Sequence, residues 1–163
     1  MKNSNEVFTS QMVKDTLQLW CDNVIITGKV YTDDDVKVQA NQVLSDNYDY
    51  DNGKVLFKPT LTFDKQTFRS TKESALSYFI VNNKNFPNDS GFKLKPWIKV
   101  WFTDEDFILD DNLAIVQCNV SLIGANGDQI MVNKSFVFKI WDDGRIRIIL
   151  HHSSLPFVPV VES

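Results

Sequence analysis

The second half of this chain admits little besides an antiparallel sheet. Trp97 to Phe102, Leu113 to Ile123, Ile130 to Trp141 and Arg145 to His152 are four segments rich in β-branched and aromatic residues. Turn chemistry separates them, with Ala125-Asn126-Gly127-Asp128 and Asp142-Asp143-Gly144 as tight hairpin signals. The first half follows another rhythm. Val13, Leu17, Trp20 and Val24 recur as one face of a helix from Thr9 to about Val30, with Gly28 near its end. Thr32-Asp33-Asp34-Asp35 starts a second helix, a Thr cap followed by carboxylates in the positive first turn, with Val36, Ala40, Val43 and Leu44 as its apolar side. Asn52-Gly53 turns the chain into a short strand, Lys54 to Phe57. Asp49 to Gly53 fails as a calcium loop, because the twelfth position is Pro59 rather than Glu. Ser70-Thr71-Lys72-Glu73 reads as a capping box opening a third helix through Ala75, Leu76, Phe79 and Ile80, and Asn85 to Lys95 reads as a loop.

Helices first and strands afterwards predict an α+β fold, with N-terminal helices packed on one face of a strongly curved antiparallel sheet. At 163 residues this is one domain, with 1–8 a flexible N-terminus and 155–163 an extended, proline-broken tail. A net charge of −4 with scattered lysines argues against nucleic acid as a partner. No apolar run approaches the length of a membrane span, so no membrane association is expected and the cytoplasm is the expected compartment. Cys21 and Cys118 read as buried thiols, and no Cys and His spacing builds a structural zinc site. Neither metal nor cofactor is expected.

Three helices, a long meander and a last strand ending His151-His152-Ser153-Ser154 resemble the nuclear transport factor two-like (SnoaL-like) superfamily. Gly144 to Ser154 looks most like the association domain of calmodulin-dependent kinase. Phe57-Lys58-Pro59-Thr60, Phe68 to Glu73 with Ala75 to Phe79, and Leu150 to Pro156 are similar to small bacterial members of uncharacterised activity. The resemblance implies a cone-shaped α+β barrel of cystatin-like type. Its helices close the sheet over a pocket, and its outer sheet face mates with a second copy as a homodimer. The superfamily holds isomerases, dehydratases, hydrolases and members that only bind or assemble, so the fold does not choose among them.

The candidate chemistry starts with the chain's only two histidines. His151 and His152 are adjacent in a strand and point to opposite faces. Analogy with the association domain favours His151 inward, together with Ile149 and Ser153. As general acid–base catalyst, His151 pairs with Tyr78 or Lys99 as the polarising group. Trp97, Lys99 and Trp101 share one strand face and form a candidate site for a flat or anionic ligand. Arg69, Asn119, His152 and Ser153 complete the ligand-binding candidates. Gln117, Asn119 and Ser121 form a polar row that lines either a wet cavity or an interface. Asp104, Glu105, Asp106, Asp110 and Asp111 fall in a turn between strands, and the strand interiors from Leu113 to Ile123 and from Ile130 to Trp141 carry no carboxylate. A buried acid with a raised pKa, the centre of ketosteroid-isomerase-type mechanisms, is therefore not available there.

Two functions remain open on these residues. The first is binding of a small hydrophobic or mixed-polarity ligand, with metal-independent acid–base chemistry of isomerase, dehydratase or hydrolase type. The second is a non-catalytic oligomerisation or accessory domain. An open cavity favours the first, and a closed one packed with aromatics favours the second.

Overall fold

The computed structural model describes residues 7–27, 33–80, 83–91 and 95–161. Three helices, α1 (Ser10–Thr27), α2 (Asp33–Asn47) and α3 (Lys72–Ile80), pack on a five-stranded sheet. Its strands are β1 (Leu56–Lys58), β2 (Trp97–Asp110), β3 (Leu113–Gly124), β4 (Gln129–Ile140) and β5 (Ile146–Ser154). The spatial order is β1-β5-β4-β3-β2. The four long strands form the expected antiparallel meander, and β1 adds a parallel edge beside β5, pairing Phe57 with His151. This is the α+β architecture of the nuclear transport factor two-like fold.

Local chemistry sets the helix starts. Thr9 Oγ1 accepts from the Met12 amide at 3.2 Å, capping α1. At α3 the capping box sits one residue later than the sequence predicted. Thr71 Oγ1 accepts from the Ser74 amide at 3.3 Å, and Ser74 Oγ accepts from the Thr71 amide at 3.2 Å. The acidic start expected for the second helix rests on Thr32 and the Asp33 side chain, which lie outside the described residues, as does Gly28. The α1 stripe Val13, Leu17, Trp20 and Val24 is buried, as are Val36, Ala40, Val43 and Leu44 on α2.

The sheet's inner face follows strand alternation. Ala114, Val116, Cys118, Val120 and Leu122 on β3 face the helices, as do Val132, Lys134, Phe136, Phe138 and Ile140 on β4. Three register shifts break the alternation, one of them between Trp97 and Lys99 on β2. Pairing slips between Val137 and Phe138, where Val137 meets Leu150 and Phe138 meets Ile148, leaving Ile149 as the extra residue on β5. Ile148 and His151 therefore both point inward, and Ile148 takes the inner place expected for Ile149. The third slip lies between Thr103 and Asp106, where Asp104 takes a left-handed φ of 54°. Asp104, Glu105 and Asp106 thus sit at a bulge inside β2 rather than in a turn, and the β2–β3 turn is the pair Asp111-Asn112. Residues 155–161 follow β5 without regular structure, with Phe157 and Val158 exposed. No described helix is long and apolar enough to cross a membrane.

Candidate functional site

The inward alternation of β4 and the bulge of β5 bring three polar side chains into the apolar core. Lys134, His151 and Ser153 are all buried, at 5%, 2% and 1% exposure. Lys134 Nζ lies 3.0 Å from His151 Nε2 and donates to Ser153 Oγ at 3.0 Å. Ser153 Oγ in turn meets Thr60 Oγ1 at 2.6 Å. Thr60 follows β1, and the parallel pairing of that strand with β5 is what carries the loop to Ser153. Lys58 Nζ fastens the crossing by donating to the Thr60 and Ser153 carbonyls at 3.2 and 3.1 Å.

The opposite ring nitrogen of His151 is also engaged. Tyr48 Oη lies 2.8 Å from His151 Nδ1, and Trp20 Nε1 donates to Tyr48 Oη at 3.2 Å. The imidazole is stacked between Phe57 and Phe136, with ring centroids 4.9 and 4.4 Å away, and Trp20 closes its edge. Two flanking rings hold the imidazole plane fixed. Tyr78 reaches the cluster from α3, its Oη accepting from the Leu61 amide at 3.4 Å.

Trp20, Phe57, Pro59, Thr60, Tyr78, Phe79, Lys134, His151 and Ser153 line a cavity of about 10 Å³. That is room for about one water-sized molecule. Its wall is aromatic and aliphatic on one side and carries hydroxyl, amine and imidazole groups on the other.

Burial sets the ionisation of these groups. Desolvation drives the Lys134 ammonium down to about 7, aided by Lys58 and opposed by the Cys118 and Cys21 thiols. Burial pushes the Tyr78 hydroxyl up to about 12 and raises Tyr48 well beyond the ordinary phenol. Burial likewise lifts the Cys21 and Cys118 thiols to about 12 and about 11. Both cysteines are free thiols. Near neutral pH the site thus holds un-ionised hydroxyls and one lysine poised between amine and ammonium. Among the described residues, no group of three or more His, Cys, Asp or Glu side chains is placed to hold a metal ion.

The sequence candidates divide between the two faces of the sheet. His151, Tyr78 and Ser153 meet at the cavity. His152 points outward and is exposed. Asn119 also lies on the outer face, donating to Asp104 Oδ2 at 2.9 Å and accepting from Asn133 at 2.8 Å. The polar row Gln117, Asn119 and Ser121 faces outward with it, pairing with Ser135, Asn133 and Met131 on β4. Trp97, Lys99 and Trp101 do not share a face, because β2 slips between Trp97 and Lys99. Trp97 is buried, whereas Lys99 stacks its ammonium over Trp101, 4.8 Å from the ring centre, on the other side. Arg69 is committed elsewhere. It forms a buried bidentate pair with Asp89 at 2.8 and 2.6 Å and donates to the Ser74 and Gln66 carbonyls.

Sequence reasoning passed over Lys134, Thr60, Tyr48 and Trp20. For Lys134 a signal existed, since it occupies the apolar phase of the alternation Val132, Phe136, Phe138 and Ile140. Thr60 gave none, because its place depends on a parallel edge strand of three residues.

Solved structures and curated proteins place this arrangement among relatives. A crystal structure of the iota-carbonic anhydrase from a cyanobacterium, complexed with bicarbonate, superposes with a TM-score of 0.93 at 34% identity, covering 98% of this chain and 99% of that one. An association domain of calcium/calmodulin-dependent kinase type from Xanthomonas campestris gives a TM-score of 0.63 at 19% identity over 96% of this chain and 97% of its own, and shows the fold alone. A curated metal-independent carbonic anhydrase of Nostoc sp. is 36% identical over 156 residues, 94% of this chain and 76% of that protein. The profile of that family matches residues 11–155. With nearly the whole chain matched, sheet and site included, this protein belongs to the metal-independent carbonic anhydrase family.

Proposed function

We propose that this chain interconverts carbon dioxide and bicarbonate, using side chains in place of a metal ion. The observation that carries the reading is the meeting of Thr60, Ser153, Tyr78, Lys134 and His151 around a cavity of about 10 Å³. The isomerase-type ligands considered from the sequence need far more room, whereas a cavity of this size matches the water that attacks carbon dioxide. The related cyanobacterial structure, which holds bicarbonate, supports the same substrate class.

The chemistry has three requirements, and each has a candidate group. Carbon dioxide is apolar and rests against the aromatic wall of Trp20, Phe57 and Phe79. The attacking water needs acceptors and donors that fix its lone pair toward the carbon, which the Thr60 and Ser153 hydroxyls supply. Negative charge grows on the former carbon dioxide oxygens as the bond forms. The Tyr78 hydroxyl and the positive charge of the neighbouring Lys58 stabilise it in a water-poor site. The water proton leaves toward the Lys134–His151 pair. Each hydroxyl keeps its proton near neutral pH, so it donates or relays without becoming an anion itself.

Stopped-flow carbon dioxide hydration tests this directly, with the protein exhaustively dialysed against a chelator. Hydration above the buffer rate that survives chelation supports the proposal. No rate above buffer, or a rate lost on chelation and restored by zinc, removes it.

A further inference from the structure

Resting on that reading, we infer that Lys134 is the group that receives the water proton, and that Trp20, Tyr48 and His151 form a directional chain that keeps it a free amine. The direction follows from which groups can donate. An indole N–H only donates, so Tyr48 Oη must accept from Trp20 Nε1 at 3.2 Å. Among the described residues the other polar partner of that hydroxyl is His151 Nδ1 at 2.8 Å, so the Tyr48 proton points there. Nδ1 is therefore the acceptor of the ring, and the ring proton sits on Nε2. Nε2 faces Lys134 Nζ at 3.0 Å. An ammonium has no lone pair to receive that proton, whereas an amine does.

The remaining surroundings of Lys134 agree. Its other contacts are Ser153 Oγ at 3.0 Å and the Trp20 ring face, 4.6 Å from Nζ to the centroid. The titratable groups facing it are Cys118 on β3, Cys21 on α1, His151 on β5 and Lys58 on β1. None is a carboxylate. Burial and hydrogen-bond direction thus act together, and the ammonium settles at about 7. A base with that strength suits proton transfer at neutral pH.

The step balances as follows. The water oxygen forms a bond to the carbon of carbon dioxide, and one C=O π pair moves onto oxygen. The O–H bond of the water breaks as its proton passes to Ser153 Oγ. The Lys134 amine turns its one lone pair from His151 to Ser153 and takes the Ser153 hydroxyl proton, leaving bicarbonate and an ammonium. The ammonium now meets the Nε2 proton head-on, so it yields its own proton readily to solvent or buffer base. His151 is on this account a positioning residue, and Lys134 is the catalytic one.

The test combines spectroscopy and kinetics on the full chain. Nitrogen NMR of labelled wild-type protein is expected to give His151 Nδ1 the pyridine-type signal and Nε2 the protonated one. Carbon NMR of the Lys134 ε-methylene is expected to titrate near neutrality. In carbon dioxide hydration, Lys134→Met is expected to lose about 100-fold or more at every pH. Tyr48→Phe frees the imidazole to turn its lone pair toward Lys134, and is expected to move the inflection of the pH–rate profile up by about one unit. A purely structural role for Tyr48 lowers the whole profile without moving that inflection. Nδ1 carrying the proton, an unmoved inflection in Tyr48→Phe, or a folded and active Lys134→Met overturns this inference while leaving the carbon dioxide reading intact. An inactive wild type overturns both.

Discussion

Two buried cations in this protein show what a counter-ion decides. Arg69 and Asp89 are each 3% exposed in their side chains, and the guanidinium fork meets both carboxylate oxygens while Ser77 Oγ donates to the same carboxylate at 2.6 Å. Phe86 covers the guanidinium plane at 4.7 Å. Every charge there is matched, and the pair locks the loop that carries Asp89 onto α3. Lys134 is equally buried but meets an imidazole, a hydroxyl and an indole face. Without a carboxylate the cheapest response is to release the proton. A buried cation with its partner is architecture, and one without is a base.

That contrast breaks first at the ion pair. Arg69→Met is expected to cost about 3–5 kcal/mol in urea unfolding, because it strands a buried carboxylate. It is also expected to leave the inflection of the pH–rate profile in place; a shifted inflection would couple the two regions. The opposite sign is expected at the site. Lys134→Met replaces a poorly matched buried polar group by an apolar one of similar shape, and is expected to stabilise by about 1–3 kcal/mol at pH 6. Marked destabilisation there would mean that Lys134 holds the fold rather than the chemistry.

The pH dependence sharpens the same point. The folded protein loses the Lys134 proton at about 7, whereas the unfolded chain keeps it up to the ordinary lysine value of 10.5. Between those limits the unfolded state binds more protons, so this group makes stability rise with pH, by at most about 1.4 kcal/mol per unit. Below pH 7 the contribution is flat. The advantage of Lys134→Met over wild type is therefore expected to shrink between pH 7 and 8.5, read from unfolding midpoints. The smallest effect belongs to the outer face. His152→Ala is expected to change stability by less than about 0.5 kcal/mol and hydration by less than twofold, since its side chain is solvated.

How far the sequence carried these conclusions depended on the range of the interactions. Helices before strands, the two hairpin turns and the apolar phases of α1 and β3 follow from neighbouring residues, and they fixed the architecture. Alternation put His151 and Ser153 on one face of β5, and only the resemblance to the association domain chose that face as the inner one. The missing sheet carboxylate was legible too, and it is what leaves Lys134 without a counter-ion. The bulges were not, because one extra residue in a strand carries no compositional mark. They separated Trp97 from Lys99 and exchanged Ile149 for Ile148. Thr60, Tyr48 and Trp20 reach the site through contacts with β5 and its neighbours that span much of the chain, and no local pattern announces such meetings.

The unpaired Ile149 acts as a phase shifter for everything beyond it. Were Ile149 drawn into regular pairing instead of bulging out, the rest of the strand would flip, presenting Leu150 and His152 to the aromatic wall while His151 and Ser153 turned to solvent. One unpaired residue thus decides which of two adjacent imidazoles looks into the interior, with the composition of the strand unchanged.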